Sequence, residues 1–138
     1  MSVDLETQKA IRARLISTSA VTALVPANHI LDVNQRPAPD PSIIMGDSQQ
    51  VDEGTSLKRR HSRIFHSLHI WKREPSLEGV KTIAGAIRNA IHAGRLAMPG
   101  GLACADLLVS STRFLRDPDG ETSHGIVVIE ALIAEVTP

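Results

Sequence analysis

Apolar positions recur at helical spacing from the start of the chain. Leu5, Ile11, Leu15 and Ile16 fall in one stripe at about 100° per residue, which predicts a helix over residues 4–16. Gln8 and Arg12 lie inside that stripe, so its edges are partly wet. Ser17, Thr18 and Ser19 interrupt the pattern. Ser19 is a candidate cap for a short second turn through Leu24, and Pro26 ends it.

The pattern then weakens. Pro26, Pro37, Pro39 and Pro41 break any long helix over residues 26–62. Ile30–Val33 and Ser42–Met45 are short strand candidates bounded by breakers. Residues 46–62 form a mostly polar stretch and read as a long loop, a length that is usually either functional or disordered.

Strict alternation marks the next element. From Arg63 to Arg73, Ile64, His66, Leu68 and Ile70 share one face, and Phe65, Ser67, His69 and Trp71 share the other. A helix follows over residues 76–93, with Ser76 as candidate cap and Glu78 at the positive end of the helix dipole. Leu77, Val80, Ile83, Ala84, Ile87 and Ile91 form its narrow apolar stripe. His92 and Arg95 suit its C-terminus, where Gly94 offers a left-handed stop. Residues 105–114 and 122–136 read as two strands around the turn Asp117-Pro118-Asp119-Gly120, hence a hairpin. The resulting class is α+β. It comprises a mainly antiparallel sheet of about four to five strands with two main helices packed on one face.

The last strand is unusual. Val127, Ile129, Ala131 and Ile133 are apolar on one face; Ile126, Val128 and Leu132 are apolar on the other, with Glu130 the only charge. Either the strand is central and covered on both faces within the domain, or a second subunit covers its outer face.

Composition narrows the function classes. With 138 residues, 42% hydrophobic and 22% charged, the chain is expected to form one domain over residues 1–138 with an ordinary core. Fifteen basic residues balance fifteen acidic ones, so no bulk charge draws it to nucleic acid or membrane. A single cysteine, Cys104, excludes an internal disulfide and fits a reducing compartment. Phe65, Trp71 and Phe114 are too few aromatics for nucleobase stacking. No targeting segment or membrane span is visible: the richest apolar stretch, residues 125–134, is interrupted by Glu130 and is far short of the roughly 20 residues a span needs.

Candidate chemistry is sparse. His61, His66 and His69 invite a metal, but His66 and His69 point to opposite faces, and His61 lies roughly 26 Å from His69 along a strand. Neither Cys104 nor the remaining histidines offer ligand spacing, so no metal and no cofactor is expected. There is no nucleophile elbow and no phosphate loop. Asp117–Gly120 lacks the downstream glutamate of a calcium loop, since Ile126 stands there. Asp52 and Glu53 sit in polar surroundings and read as solvated. No catalytic residue is assigned.

Charge is segregated along the chain. Residues 1–57 carry four basic and seven acidic side chains (−3), residues 58–95 nine and two (+7), and residues 96–138 two and six (−4). Lys58, Arg59, Arg60 and Arg63 are the densest basic cluster. Such a run is either an ordinary solvated face or a contact with an acidic partner, a neighbouring copy or a phosphate backbone.

Several segments match a family in order and spacing. They are Gln8-Lys9-Ala10-Ile11, Leu24-Val25, Ile30-Leu31-Asp32, Ile43-Ile44-Met45-Gly46, Leu68-His69-Ile70-Trp71, Ala84-Gly85-Ala86-Ile87-Arg88, and Phe114–Gly120 followed by His124-Gly125. Over about 130 residues the chain resembles the tail-completion or tail-terminator proteins of long-tailed phages and gene transfer agents, long catalogued as a domain of unknown function. Ser42 departs from the pattern, standing where an aromatic is expected.

The resemblance implies a structural protein and not an enzyme. It implies a closed ring of about six copies on the head-proximal end of the tail tube, stopping tube polymerisation. The implied partners are the chain itself, the tail tube protein, a head-side connector or stopper protein, and DNA passing through the lumen without sequence-specific contact. The implied location is the virion or gene transfer agent particle, assembled in the bacterial cytoplasm. Lys58, Arg59, Arg60 and Arg63 are then candidates for the lumen or for an intersubunit contact, and Ile126, Val128 and Leu132 for the subunit contact. Another neck component, a soluble binding module and a small enzyme using the strand histidines are the competing classes.

Overall fold

The structure is a computed structural model, described here for residues 2–33 and 37–136. In chain order it contains α1 (Val3–Ile16), α2 (Ser19–Thr22), a 3₁₀ turn (Ala27–His29), β1 (Ile30–Leu31), β2 (Ser42–Asp52), β3 (His61–Arg73), α3 (Glu78–Ile91), β4 (Leu102–Arg116) and β5 (Thr122–Glu135). The five strands form one sheet in the order β1-β2-β3-β5-β4. Only β1 and β2 pair in parallel; β2–β3, β3–β5 and β4–β5 are antiparallel. Helix α3 carries the chain from β3 across to β4, and β5 then returns between them. The class is α+β, as the patterning implies.

Helix α1 is rotated from the expected stripe. Its buried residues are Val3, Thr7, Ile11 and Leu15, an unbroken four-residue ladder, while Leu5 is 45% exposed. Leu5 is displaced by about 120° from Ile11 around a 3.6-residue helix, so it cannot share that face. Thr7 occupies a core position because its Oγ1 donates to the Val3 carbonyl at 2.7 Å, leaving only its methyl to the core. Thr18, not Ser19, occupies the cap position of α2.

Helix α3 buries Val80, Ile83, Ala84, Ile87, Ala90 and Ile91. Its ends are closed by residues from outside it. The Glu74 carboxylate accepts from the amide of Gly79 at 2.8 Å and of Val80 at 3.3 Å, while Ser76 Oγ accepts only from Glu78. At the other end Arg14 of α1 donates to the carbonyls of Ala90 at 2.9 Å and Arg95 at 2.7 Å. A guanidinium on these carbonyls replaces the expected glycine stop; Gly94 is nearly extended, at φ 159°.

The polar stretch at 46–62 is mostly strand. β2 runs through it to Asp52, with a bulge between Met45 and Ser48, and the connection to β3 covers only residues 53–60. Beyond the bulge β2 is an edge strand with no neighbour outside it, since β1 pairs only with Ile43 and Ile44. Polar residues on both faces are therefore tolerated, and the alternation that reveals a strand is lost.

Helices pack on one face of the sheet. There Ile64, Leu68 and Ile70 of β3 and Val127, Ile129, Ala131 and Ile133 of β5 join α1 and α3 in a continuous core. Ile87 is completely buried within it. Ile87→Ala is expected to cost about 2–5 kcal/mol, read as a fall in the urea midpoint; an unchanged midpoint would show that α3 packs through another face.

Candidate interaction face and basic hairpin

Among the described residues the opposite face of the sheet has no helix over it. Along β5, burial alternates without a break from Ser123 to Ile133: odd positions are buried, and even positions, His124 to Leu132, are half-buried. The described residues therefore do not seal both faces of the strand. Directly opposed residues of antiparallel strands share a face, so the register defines its rows. Trp71, His124 and Leu115 form one row; His69, Ile126 and Arg113 the next; then Ser67, Val128 and Ser111; then Phe65, Glu130 and Leu108. The candidate residues Ile126, Val128 and Leu132 are thus brought together on the central strand, flanked by Phe65 and Leu108.

Glu130 is the one charge in the middle of β5, and it is paired inside the chain. Arg63 Nη1 donates to Glu130 Oε1 at 3.0 Å, while its Nε and Nη2 grip both oxygens of Glu53 at 3.1 and 2.9 Å. The hydrogen bond from Arg63 holds the Glu53 carboxyl below its ordinary value, and Glu53 in turn holds the guanidinium firmly charged. Glu53 is therefore not merely solvated.

The basic cluster is divided by these pairs. Arg59 Nη1 meets Asp52 Oδ2 at 3.0 Å, so Arg59 and Arg63 both face acidic groups of their own chain. Four cations against Asp52, Glu53 and Glu130 leave a local charge of +1. Lys58, exposed, and Arg60, half-buried, form no ion pair among the described residues. The hairpin tip that carries them is ordered by its own hydrogen bonds. Ser56 accepts from the amides of Arg59 and Arg60, and Asp52 Oδ2 accepts from Gly54, which stands at φ 75°.

The histidines separate as the strand parity requires. His66 points into the core and is fully buried, with Nε2 2.9 Å from Asp4 Oδ1 in a bent contact; Ser48 also donates to Asp4. His69 points to the bare face, where its Nδ1 lies 2.8 Å from Nε2 of His124. That pair was not legible from spacing, because it depends on the β3–β5 register. Among the described residues no group of three or more His, Cys, Asp or Glu is arranged to hold a metal. Burial pushes the Cys104 thiol above its ordinary value, away from the reactive thiolate. No described helix is long and apolar enough to cross a membrane.

A one-sided sheet whose central strand presents an apolar stripe, with its one mid-strand charge paired, has the form of an assembly subunit. The model of the family "tail completion protein gp17" matches residues 9–134, and the chain belongs to that family. It is a structural tail-completion protein of phage-type particles. Its fold is similar to a chain in the virion of the native gene transfer agent particle, at 17% identity and TM-score 0.80, covering 96% of this chain and 98% of that one. It is also similar to the gp17 protein of bacteriophage SPP1, at 22% identity and TM-score 0.63, covering 98% and 94%. No curated protein sequence matched the chain.

The Arg63 bridge has a pH signature. The Glu53 carboxyl sits lower in the folded chain than its ordinary value of 4.5, so its stabilisation is present above that value and is lost as pH falls from there through the lower folded value. Arg63→Gln is expected to flatten the fall in urea midpoint between neutral pH and about pH 3. An equally steep fall in the variant would show that the bridge contributes nothing in solution.

Proposed function

We propose that this protein is the tail terminator of its particle: a ring of copies, six by the family resemblance, on the head-proximal end of the tail tube. The ring stops tube polymerisation, receives the head-side connector or stopper protein, and lets DNA pass through its lumen. Family membership supports the setting. The observation that carries the reading is the bare face itself: Ile126, Val128 and Leu132 lie half-buried on a central strand, and the only charge among them is already paired. A partner that covers this face desolvates a satisfied ion pair and not a lone carboxylate, the arrangement that makes burial tolerable. We place the next subunit or a tail protein against it.

The basic hairpin tip is the second contact. With Arg59 and Arg63 held by acidic groups, Lys58 and Arg60 are left to meet the DNA path or an acidic flank of the neighbouring copy. Weak, sequence-independent contact suits DNA that must leave through the ring, and net neutrality of the whole chain agrees with it.

Val128→Asp places an unpaired carboxylate in the contact. The variant is expected to stay folded and to fail to enter particles; normal incorporation would overturn the assignment of this face. Replacing both Lys58 and Arg60 by Gln separates the two roles of the tip. Intact particles with altered DNA retention support the lumen, whereas salt-sensitive loss of assembly supports a subunit contact. No effect on either would remove the tip from the account.

A further inference from the structure

The bare face carries a built cluster that assembly through apolar residues does not use. His124 lies flat on Trp71, with ring centroids 3.8 Å apart and planes 8° apart. His69 stands 5.1 Å from it between centroids, with the 2.8 Å nitrogen contact joining the two imidazoles. Gly46 makes room for this arrangement: a Cβ there would come within 2.5 Å of the His69 ring. The cluster adjoins Ile126, at one end of the apolar stripe.

Two nitrogens that close share one proton. With both rings neutral, one donates and the other accepts; with one ring charged, the same N–H···N contact persists. With both rings charged, each nitrogen bears a hydrogen and the two N–H groups oppose one another. The contact cannot then survive, and two like charges meet on a half-buried surface.

We propose that His69 and His124 form an acid-opened latch on the docking face: the second protonation breaks the pair, draws His124 off Trp71 and reshapes the surface presented to a partner. The neighbouring charges do not compensate. Asp117 favours a charged His124 and Arg113 opposes it. Asp32 and Asp47 line the same hollow as His69 without reaching ion-pair distance, and Asp40, Lys72, Arg73, Asp117 and Asp119 line a groove beside Trp71. Burial, and then the presence of His69, hold the His124 imidazole below its ordinary value, in the direction the latch requires.

Trp71 is the only tryptophan, so its emission reports on the stack directly. The isolated chain is titrated from about pH 8 to about pH 4, bracketing the ordinary histidine range. Because no partner is present, failure of the latch is distinguishable from failure of the docking reading. The wild type is expected to show an emission transition centred below the ordinary histidine value. His124→Gln abolishes it. His69→Gln, which removes the opposing charge, abolishes it as well, because a lone His124 cation has no reason to leave the Trp71 ring. Ring-nitrogen NMR shifts of the unmutated chain supply a second reading that needs no folded variant: the His124 ring should titrate below the ordinary histidine value. A wild type without the transition, a transition that persists in His69→Gln, or a His124 ring that titrates at the ordinary histidine value would each overturn the latch.

Discussion

Strand β5 is hydrogen-bonded on both sides, to β3 and β4, yet is packed by helices on only one face. An antiparallel sheet solves this cheaply when its outer face is polar, because water then satisfies it. Here the outer face carries Ile126, Val128 and Leu132 on its central strand. The other features follow from holding that face ready. Helices α1 and α3 are locked together on the far side, Arg14 closing the C-terminal end of α3, so the sheet is supported from behind. The charge that interrupts the apolar stripe is cancelled by Arg63, which Glu53 of the neighbouring hairpin fixes in turn.

That bridge connects two regions which the sequence presents separately. Arg63 reads as a member of a basic run and Glu130 as a lone acid in an apolar strand. In the sheet they are diagonal neighbours, since Arg63 stands opposite Leu132 and Glu130 opposite Phe65. The consequence is functional as well as structural. It makes the apolar stripe of β5 buriable, and it withdraws Arg63 from the basic run that an external partner could meet. In the proposed ring, the contact on the bare face and the contact of the hairpin tip involve different surfaces of one copy, as a head-to-tail ring requires.

Legibility in the sequence followed the strength of periodicity. Helix α3 and strands β3 and β5 were visible because burial on one face imposes a period that composition obeys. The Asp117–Gly120 turn was visible because its dihedrals demand those residues; Asp119 accepts from the amides of Glu121 and Thr122 in it. The outer half of β2 was not, because an edge strand with polar contacts on both faces has no period to read. The α3 cap was misassigned to Ser76 because Glu74 reaches in from outside the helix. The two diagonal pairs on the bare face, Arg63 with Glu130 and His69 with His124, depend on register, which no single strand encodes.

Coverage of the bare face by another protein is the central claim, and thiol accessibility tests it most directly. A Val128→Cys chain is labelled with a thiol reagent free in solution and again within assembled particles. The native Cys104 is buried and its thiol is held in the unreactive form, leaving position 128 as the reporting site. Labelling of the free chain with protection in the particle is the expected result. Equal labelling in both states, in particles that contain the variant at wild-type levels, would contradict the account.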